Sequence, residues 1–217
     1  KRHPSDIRIA VGCDETGRIS GFVFDGIFNT GAYASWGPTV ANRVPIHASG
    51  PYATKDYRAN SIAVHTNAPP AGAFRGFGVP QSAVAQECAF DLLAEKLGMD
   101  RLAFRRLNAL KNGIPTVTGQ VFNSGVGIDD CFAALEDSWQ TAVASAASFN
   151  QTAISDDSPW RRGVGIASCW YGCGNTSLPN PSTMRFGITA DGRIVLHQGA
   201  MDIGQGANTV ITQIAAD

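Results

Sequence analysis

Apolar and polar residues alternate over residues 7–11 (Ile7, Ile9, Val11), which predicts a strand. Asp14-Glu15-Thr16-Gly17 then turns the chain into a second β-rich run at residues 18–28. The pair reads as a hairpin with a Gly-containing loop. Residues 40–49 suit a short helix ended by Gly50-Pro51, and residues 57–65 alternate again as a strand. The clearest helical period spans residues 81–97, with Val84, Cys88, Leu92 and Leu93 near helical spacing. Pro80 suits its first turn and Gly98 its C-terminal cap. A second helix is predicted over residues 100–110 with Asp100 as cap, and a third over residues 129–147. The polar run at residues 150–159 breaks the pattern and reads as a linker. Beyond it, residues 163–171 and 184–189 predict strands, and Asp191-Gly192 turns the chain into residues 194–197. A last helix starts near Asn208, with Asn208 or Thr209 as its cap. The predicted class is α+β, two lobes of mixed sheets with flanking helices. Residues 1–150 make the first lobe, 151–160 the linker, and 161–217 the start of the second.

Composition narrows the function. The 217 residues carry 18 acidic and 17 basic side chains, so no basic stripe marks a nucleic-acid binder. A hydrophobic share of 44% supports a core, and no apolar run is long enough to span a membrane. Lys1-Arg2-His3-Pro4 has cations but no apolar stretch behind them, unlike a signal peptide. Without a starting Met, and ending inside a helix, the chain is expected to be a fragment of a longer subunit. Its five cysteines, an odd number at scattered spacings, do not describe a disulfide framework, and without a CxxC pair they encode neither a zinc ribbon nor an iron–sulfur cluster. A reducing compartment follows, the cytoplasm first and the periplasm as alternative. Only 16% of residues are charged, while Gly numbers 24, about 11% against the usual ~7%.

The glycines gather in three places. Gly72-Ala73-Phe74-Arg75-Gly76-Phe77-Gly78-Val79-Pro80-Gln81 lies between a predicted strand and a helix. Gly199-Ala200-Met201-Asp202-Ile203-Gly204-Gln205-Gly206-Ala207-Asn208-Thr209 repeats that context, and Gly172-Cys173-Gly174-Asn175-Thr176 is the third. A strand-to-helix turn offers free backbone N–H groups and the positive end of a helix dipole, a setting for anions. Each cluster alone is most simply a structural turn. Two together point toward a long ligand with separated anionic groups, such as a nucleotide-linked cofactor. The phosphate loop, the dinucleotide fingerprint and the nucleophile elbow are all absent.

The first cluster resembles the AFRGFG-x-PQ signature of the large molybdenum-cofactor subunit of the xanthine dehydrogenase/aldehyde oxidase family. Gln86-Glu87 and residues 91–100 are similar to the helix that follows it. Asp202-Ile203-Gly204-Gln205-Gly206-Ala207-Asn208-Thr209 resembles the family's second motif, an acidic residue and an apolar one before GQG-x-x-T. Order and spacing fit along essentially the whole chain.

The resemblance implies part of a molybdenum hydroxylase that oxidises an aldehyde or N-heteroaromatic substrate with oxygen from water. Its cofactor is a molybdopterin, in many members extended as a cytosine dinucleotide. Iron–sulfur clusters and FAD are expected on other segments or subunits, which makes those subunits partners. Gly72, Ala73, Phe74, Arg75 and Gly76 would approach the molybdenum ligands, with Arg75 adding positive charge, and Gly204, Gln205 and Gly206 would hold the pterin and its phosphate. Phe77 matches the aromatic that lines the substrate slot. Arg43, thirty positions before Ala73, falls where xanthine-oxidising members orient the substrate. Trp170 and Tyr171 either wall the pocket or pack, and His47 and His65 read as structural. The family's base is a glutamate in a downstream Gly-Glu motif that nothing here matches. The alternative is a split subunit that holds the cofactor only with a partner chain. Either way, the isolated polypeptide is expected to be inactive, and both Gly-rich turns are expected to face one cleft.

Overall fold

Three alternating runs form one sheet. β1 (Ser5–Cys13), β2 (Ile19–Gly31) and β3 (Asp56–His65) lie in that order, β1 antiparallel and β3 parallel to the central β2. Parallel pairing needs a crossover, and α1 (Gly37–His47) lies within it. Phe22, Phe24 and Phe28 point from β2 into the core and are at most 1% exposed. Gly26 stands between the last two, where a Cβ would sit 2.8 Å from both rings. Its missing side chain lets the rings close over it. Ala41 and Val44 of α1, and Phe90 and Ala94 of α2 (Val79–Leu97), cover this face. Phe90 meets Phe22 edge-on at 6.2 Å and Phe104 of α3 (Arg101–Asn108) at 5.6 Å. Burying such a ring contributes roughly 1.5–3 kcal/mol relative to exposing it.

Local chemistry sets the helix ends. Pro80 occupies the first turn of α2, and Gly98 ends it at φ +65°, donating to the Ala94 and Glu95 carbonyls. The Asp100 carboxylate accepts from the Ala103 N–H at 2.9 Å and opens α3. The same side chain accepts from Trp139 Nε1 at 2.8 Å, which joins α3 to α4 (Ile128–Ser155).

The structure, a computed structural model, describes residues 1–172 and 181–217, which divide into the units Lys1–Tyr171 and Gly172–Asp217. The linker placed at 151–160 is not one throughout, because α4 runs to Ser155. Its buried residues, Phe132, Trp139, Ala146 and Ala153, recur every seventh position, and that stripe carries the helix through the polar run. Asn150 is not a breaker either. Its side-chain amide donates to the Arg162 carbonyl at 2.9 Å and accepts the Arg162 N–H at 2.8 Å, which pins the returning chain. The strand expected over residues 163–171 is extended and alternates, with Val164, Ile166, Ser168 and Trp170 half-buried, but it joins no ladder among the described residues. Side chains hold it instead.

Those side chains meet a buried polar network. Glu87 of α2 accepts from Tyr52 Oη at 2.9 Å and Ser168 Oγ at 3.3 Å, and pairs with Arg105 at 2.7 Å. Arg105, with a fully buried side chain, also reaches Asp91 at 2.8 Å. Burial opposes its charge, yet Glu87, Tyr52 and Asp91 hold its pKa above the ordinary arginine value.

The second unit holds a hairpin, β4 (Arg185–Ile188) and β5 (Ile194–His197), then α5 (Ala207–Ala216). Phe186, Ile188, Ile194, Val210 and Ile214 are each at least half exposed. The third Gly cluster falls outside the described residues from Cys173 onward. No helix among the described residues is long and apolar enough to cross a membrane.

Candidate functional site

The loop between β3 and α2 holds the first Gly cluster. Gly76, Phe77 and Gly78 take φ values of +90°, +46° and +95°, three left-handed residues in succession. For Phe77 this conformation costs roughly 1–2 kcal/mol, which surrounding contacts must offset. The Phe77 N–H donates to the Phe74 carbonyl at 2.8 Å, and the Val79 N–H to the Gly76 carbonyl at 2.9 Å. Gly78 lies flat on α1, where a Cβ would stand 2.6 Å from Val44 Cγ2. The Phe77 ring meets Trp36 edge-on at 6.2 Å. This turn leaves Ala73, Phe74 and Arg75 exposed at the N-terminal end of α2, with Gly72, Gly76 and Phe77 half-buried behind them. A small residue and exposed backbone beside a helix N-terminus can accept an anionic or oxo ligand at close range.

The first four residues of the chain lie along this loop. Arg2 Nη1 donates to the Arg75 carbonyl at 2.9 Å, and its guanidinium stands 4.5 Å from the Phe74 ring centre. No motif or spacing signals this contact, since 73 positions separate Arg2 from Arg75.

Arg43 lies on α1, 6% exposed, with its guanidinium 4.4 Å from the Tyr171 ring centre. His47, one turn on, stacks on the same ring at 5.5 Å and meets Trp170 edge-on at 5.9 Å. Its Nδ1 faces the Arg43 carbonyl at 3.1 Å, and Trp170 Nε1 donates to the His47 carbonyl at 3.2 Å. Burial pushes the His47 pKa below the ordinary histidine value, so its ring stays neutral beside the arginine. Half-exposed Tyr171 thus forms the outer layer, and Arg43 the charge behind it. His65 Nδ1 faces the Gly31 carbonyl at 3.2 Å, a contact that closes the end of β3.

The second Gly cluster lies in the second unit and is organised from within. Asp202 accepts from the Gly204 N–H at 2.8 Å and the Asn208 N–H at 3.1 Å. Gln205 accepts from the Ile203 N–H at 2.6 Å and donates to the Met201 carbonyl at 2.8 Å. The N-cap of α5 is therefore Gly206, at φ +82°, rather than Asn208 or Thr209. Asp202 outcompetes them because its carboxylate reaches across the turn to the Asn208 N–H itself. Gly204 and Gln205 are exposed and Gly206 half-buried, with the Gln205 side chain spent on holding the loop.

Other concavities lie elsewhere. A groove of about 640 Å³ is lined by Arg18, Lys55, Tyr57 and Thr116 among others, and one of about 680 Å³ runs along β1, β2 and β3. Neither includes a residue of the Gly-rich loops. Among the described residues no group of three or more His, Cys, Asp or Glu is placed to ligate a metal ion.

Comparison with known proteins covers both loops. Two family models, each described as a molybdopterin cofactor-binding domain, match the chain, one over residues 1–109 and the other over residues 133–217. The nicotinate dehydrogenase large molybdopterin subunit of Eubacterium barkeri is 43% identical over 128 residues, which are 59% of this chain and 30% of that protein. The xanthine dehydrogenase molybdenum-binding subunit of Escherichia coli O157:H7 is 33% identical over 219 residues, covering 100% of this chain and 28% of that one. The solved aldehyde oxidoreductase of Desulfovibrio gigas superimposes with a TM-score of 0.65 at 31% identity, over 68% of this chain and 16% of that one. The chain spans less than a third of the length of the curated relatives it matches here. With two molybdopterin cofactor-binding domain models matched in succession, each match containing one of the two Gly-rich loops, the chain belongs to the molybdopterin cofactor-binding domains of the xanthine dehydrogenase/aldehyde oxidase family.

Proposed function

We propose that this chain supplies, within a longer molybdenum hydroxylase, the two turns that grip the molybdopterin cofactor. The observation that carries the reading is the left-handed turn at Gly76, Phe77 and Gly78, which exposes the backbone of Ala73, Phe74 and Arg75 at a helix N-terminus. The residues suit such a group. A Cβ at Gly76 would stand 2.6 Å from Pro80, so this backbone takes a path that other residues would not take. With no acid, histidine or cysteine cluster among the described residues to ligate a bare ion, the metal would arrive held by its organic ligand.

Each residue then has a task. Gly72, Ala73, Phe74 and Gly76 let the cofactor approach the backbone, and Arg75 sets a positive charge beside it. Gly204, Gln205 and Gly206 present the second turn, shaped by the inward side chains of Asp202 and Gln205. We take the cofactor to be a molybdopterin in its cytosine dinucleotide form, whose anionic groups suit a helix N-terminus. Phe77 offers a ring edge to a planar substrate, an aldehyde or an N-heteroaromatic. Arg43 acts from behind Tyr171, where its charge favours negative charge developing on that substrate. When bound, the cofactor supplies the oxidising centre and the water-derived oxygen. Electrons leave to iron–sulfur and flavin partners in a reducing compartment.

The test uses the longest natural chain that contains this sequence, purified with its partners. Arg75→Ala and Gln205→Ala should each lower molybdenum per protomer and turnover. Unchanged metal content and rate in both variants would make the loops structural turns and end the proposal.

A further inference from the structure

Residues 1–4 touch the first Gly-rich loop and its surroundings at every position. The Lys1 carbonyl accepts from the Gly72 N–H at 3.2 Å. Arg2 donates to the Arg75 carbonyl and lies over Phe74. The carbonyl of His3, a residue only 3% exposed, accepts from Gln81 Nε2 at 3.1 Å, just past the turn in sequence. The Pro4 carbonyl accepts from the Asn29 N–H of β2 at 2.9 Å, which fixes the strap to the sheet.

The loop has a mechanical need for such a strap. Its three left-handed residues are held from inside by the Phe74 and Gly76 carbonyls, but the peptide between those two is Arg75's own. The Arg75 carbonyl, on an exposed residue, takes its hydrogen bond from Arg2. Arg2 thereby fixes the orientation of the peptide plane that joins Arg75 to Gly76. Its face on Phe74 holds the preceding residue, a cation–π contact that a flexible ammonium reproduces poorly. The guanidinium also comes within 3.6 Å of where a Gly76 Cβ would stand, a position that Pro80 already crowds at 2.6 Å.

We propose that Arg2 is a positioning residue for the cofactor turn. It sets the peptide geometry of Phe74, Arg75 and Gly76 before any ligand arrives. The inference rests on the cofactor reading above for what the turn receives, but not for what Arg2 does to the turn.

The experiment compares Arg2→Ala, Arg2→Gln and Arg2→Lys with Arg8→Ala, an exposed arginine on β1, in the longest natural chain with its partners. Amide hydrogen exchange reads the turn, and molybdenum per protomer reads its consequence. Arg2→Ala is expected to speed exchange at the Phe77 and Val79 amides by about tenfold, the effect of losing one charge-assisted hydrogen bond. It should lower molybdenum content in parallel, with Arg2→Gln similar and Arg2→Lys between it and the parent. Arg8→Ala should match the parent in both. Wild-type exchange in Arg2→Ala and Arg2→Gln overturns the proposal, and so does faster exchange with unchanged molybdenum. A parent protein that carries no molybdenum sinks the cofactor reading alone, and the exchange arm still decides whether Arg2 sets the turn.

Discussion

Gly78→Ala separates backbone strain from packing at the heart of the loop. Two costs arise at this position. At φ +95° an L-residue is strained, by roughly 1–2 kcal/mol in the left-handed region. The new methyl would also stand 2.6 Å from Val44 Cγ2, 3.1 Å from Val40 Cγ1 and 3.3 Å from the Val40 carbonyl. Val40 and Val44 are at most 1% exposed and have no free volume to move into, so overpacking adds about 1–3 kcal/mol. Gly98→Ala is the control, since φ there is +65° and nothing lies within 4 Å of its Cβ. It carries only the first cost. For a unit of this size each kcal/mol moves the melting temperature by about 2–4 °C. The control should therefore lose about 2–8 °C, and Gly78→Ala a further ~2–12 °C on the same conversion. All four tryptophans, Trp36, Trp139, Trp160 and Trp170, lie in the first unit, so their fluorescence follows its unfolding alone. Equal losses in the two variants would show that α1 yields to the methyl, and would refute the claim that the loop is seated against a rigid helix.

Two further outcomes follow from buried charge. Glu87→Gln removes the carboxylate that faces the fully buried Arg105 side chain. Breaking such a pair costs about 3–5 kcal/mol, toward the lower end here because Asp91 remains. Asp91→Asn, at a side chain 29% exposed, should cost well under half as much, and equal losses in urea melts would contradict a dominant role for Glu87. The pH dependence follows from His3 and His47, both pushed below the ordinary histidine value of 6.5, chiefly by burial. Each is neutral in the native state, while the unfolded chain takes up protons below about pH 6.5. Stability of the first unit should thus be insensitive to these groups above that value and fall as pH drops below it, until the native-state values are passed. His47→Phe should flatten that fall in urea midpoints measured from about pH 8 to about pH 5, and an unchanged slope would clear His47 of the effect.

What could be read from the sequence was mainly local. The β-rich run of β2, the Pro80 start and Gly98 stop of α2, and the Asp100 cap of α3 depend on neighbours within a few residues, and all are found in place. The α+β class follows from them. Residues 163–171 show the limit: their alternation is real, but it fits an extended chain pinned through Ser168 and Trp170 as well as it fits a strand. The polar run after Phe149 misled for a similar reason, because a narrow contact stripe every seventh residue tolerates polar residues between its members. At the loops, the glycines marked where the chain turns sharply. They did not reveal that Asp202 and Gln205 would bond inward, that Arg43 would lie beneath Tyr171, or that Arg2 would strap residues 73 positions away. Those arrangements depend on tertiary approach, for which a single sequence carries no periodic signal.

The stripe on α4 constrains how this part of the protein can evolve. An α-helix falls short of two full turns every seven residues by about 20°, so three such intervals rotate the contact line by roughly 60° between Phe132 and Ala153. The surface beneath must follow that winding, first the ring of Tyr52 at Phe132, then the Asp100 cap at Trp139. Inserting one residue between Trp139 and Ala146 would turn everything beyond it by about 100°, swing Ala146 and Ala153 into water and cut Asn150 from Arg162. Inserting seven would preserve the phase but carry Asn150 about 10 Å past its partner. Helix length and loop return are therefore coupled, and lineages that lengthen one must rebuild the other.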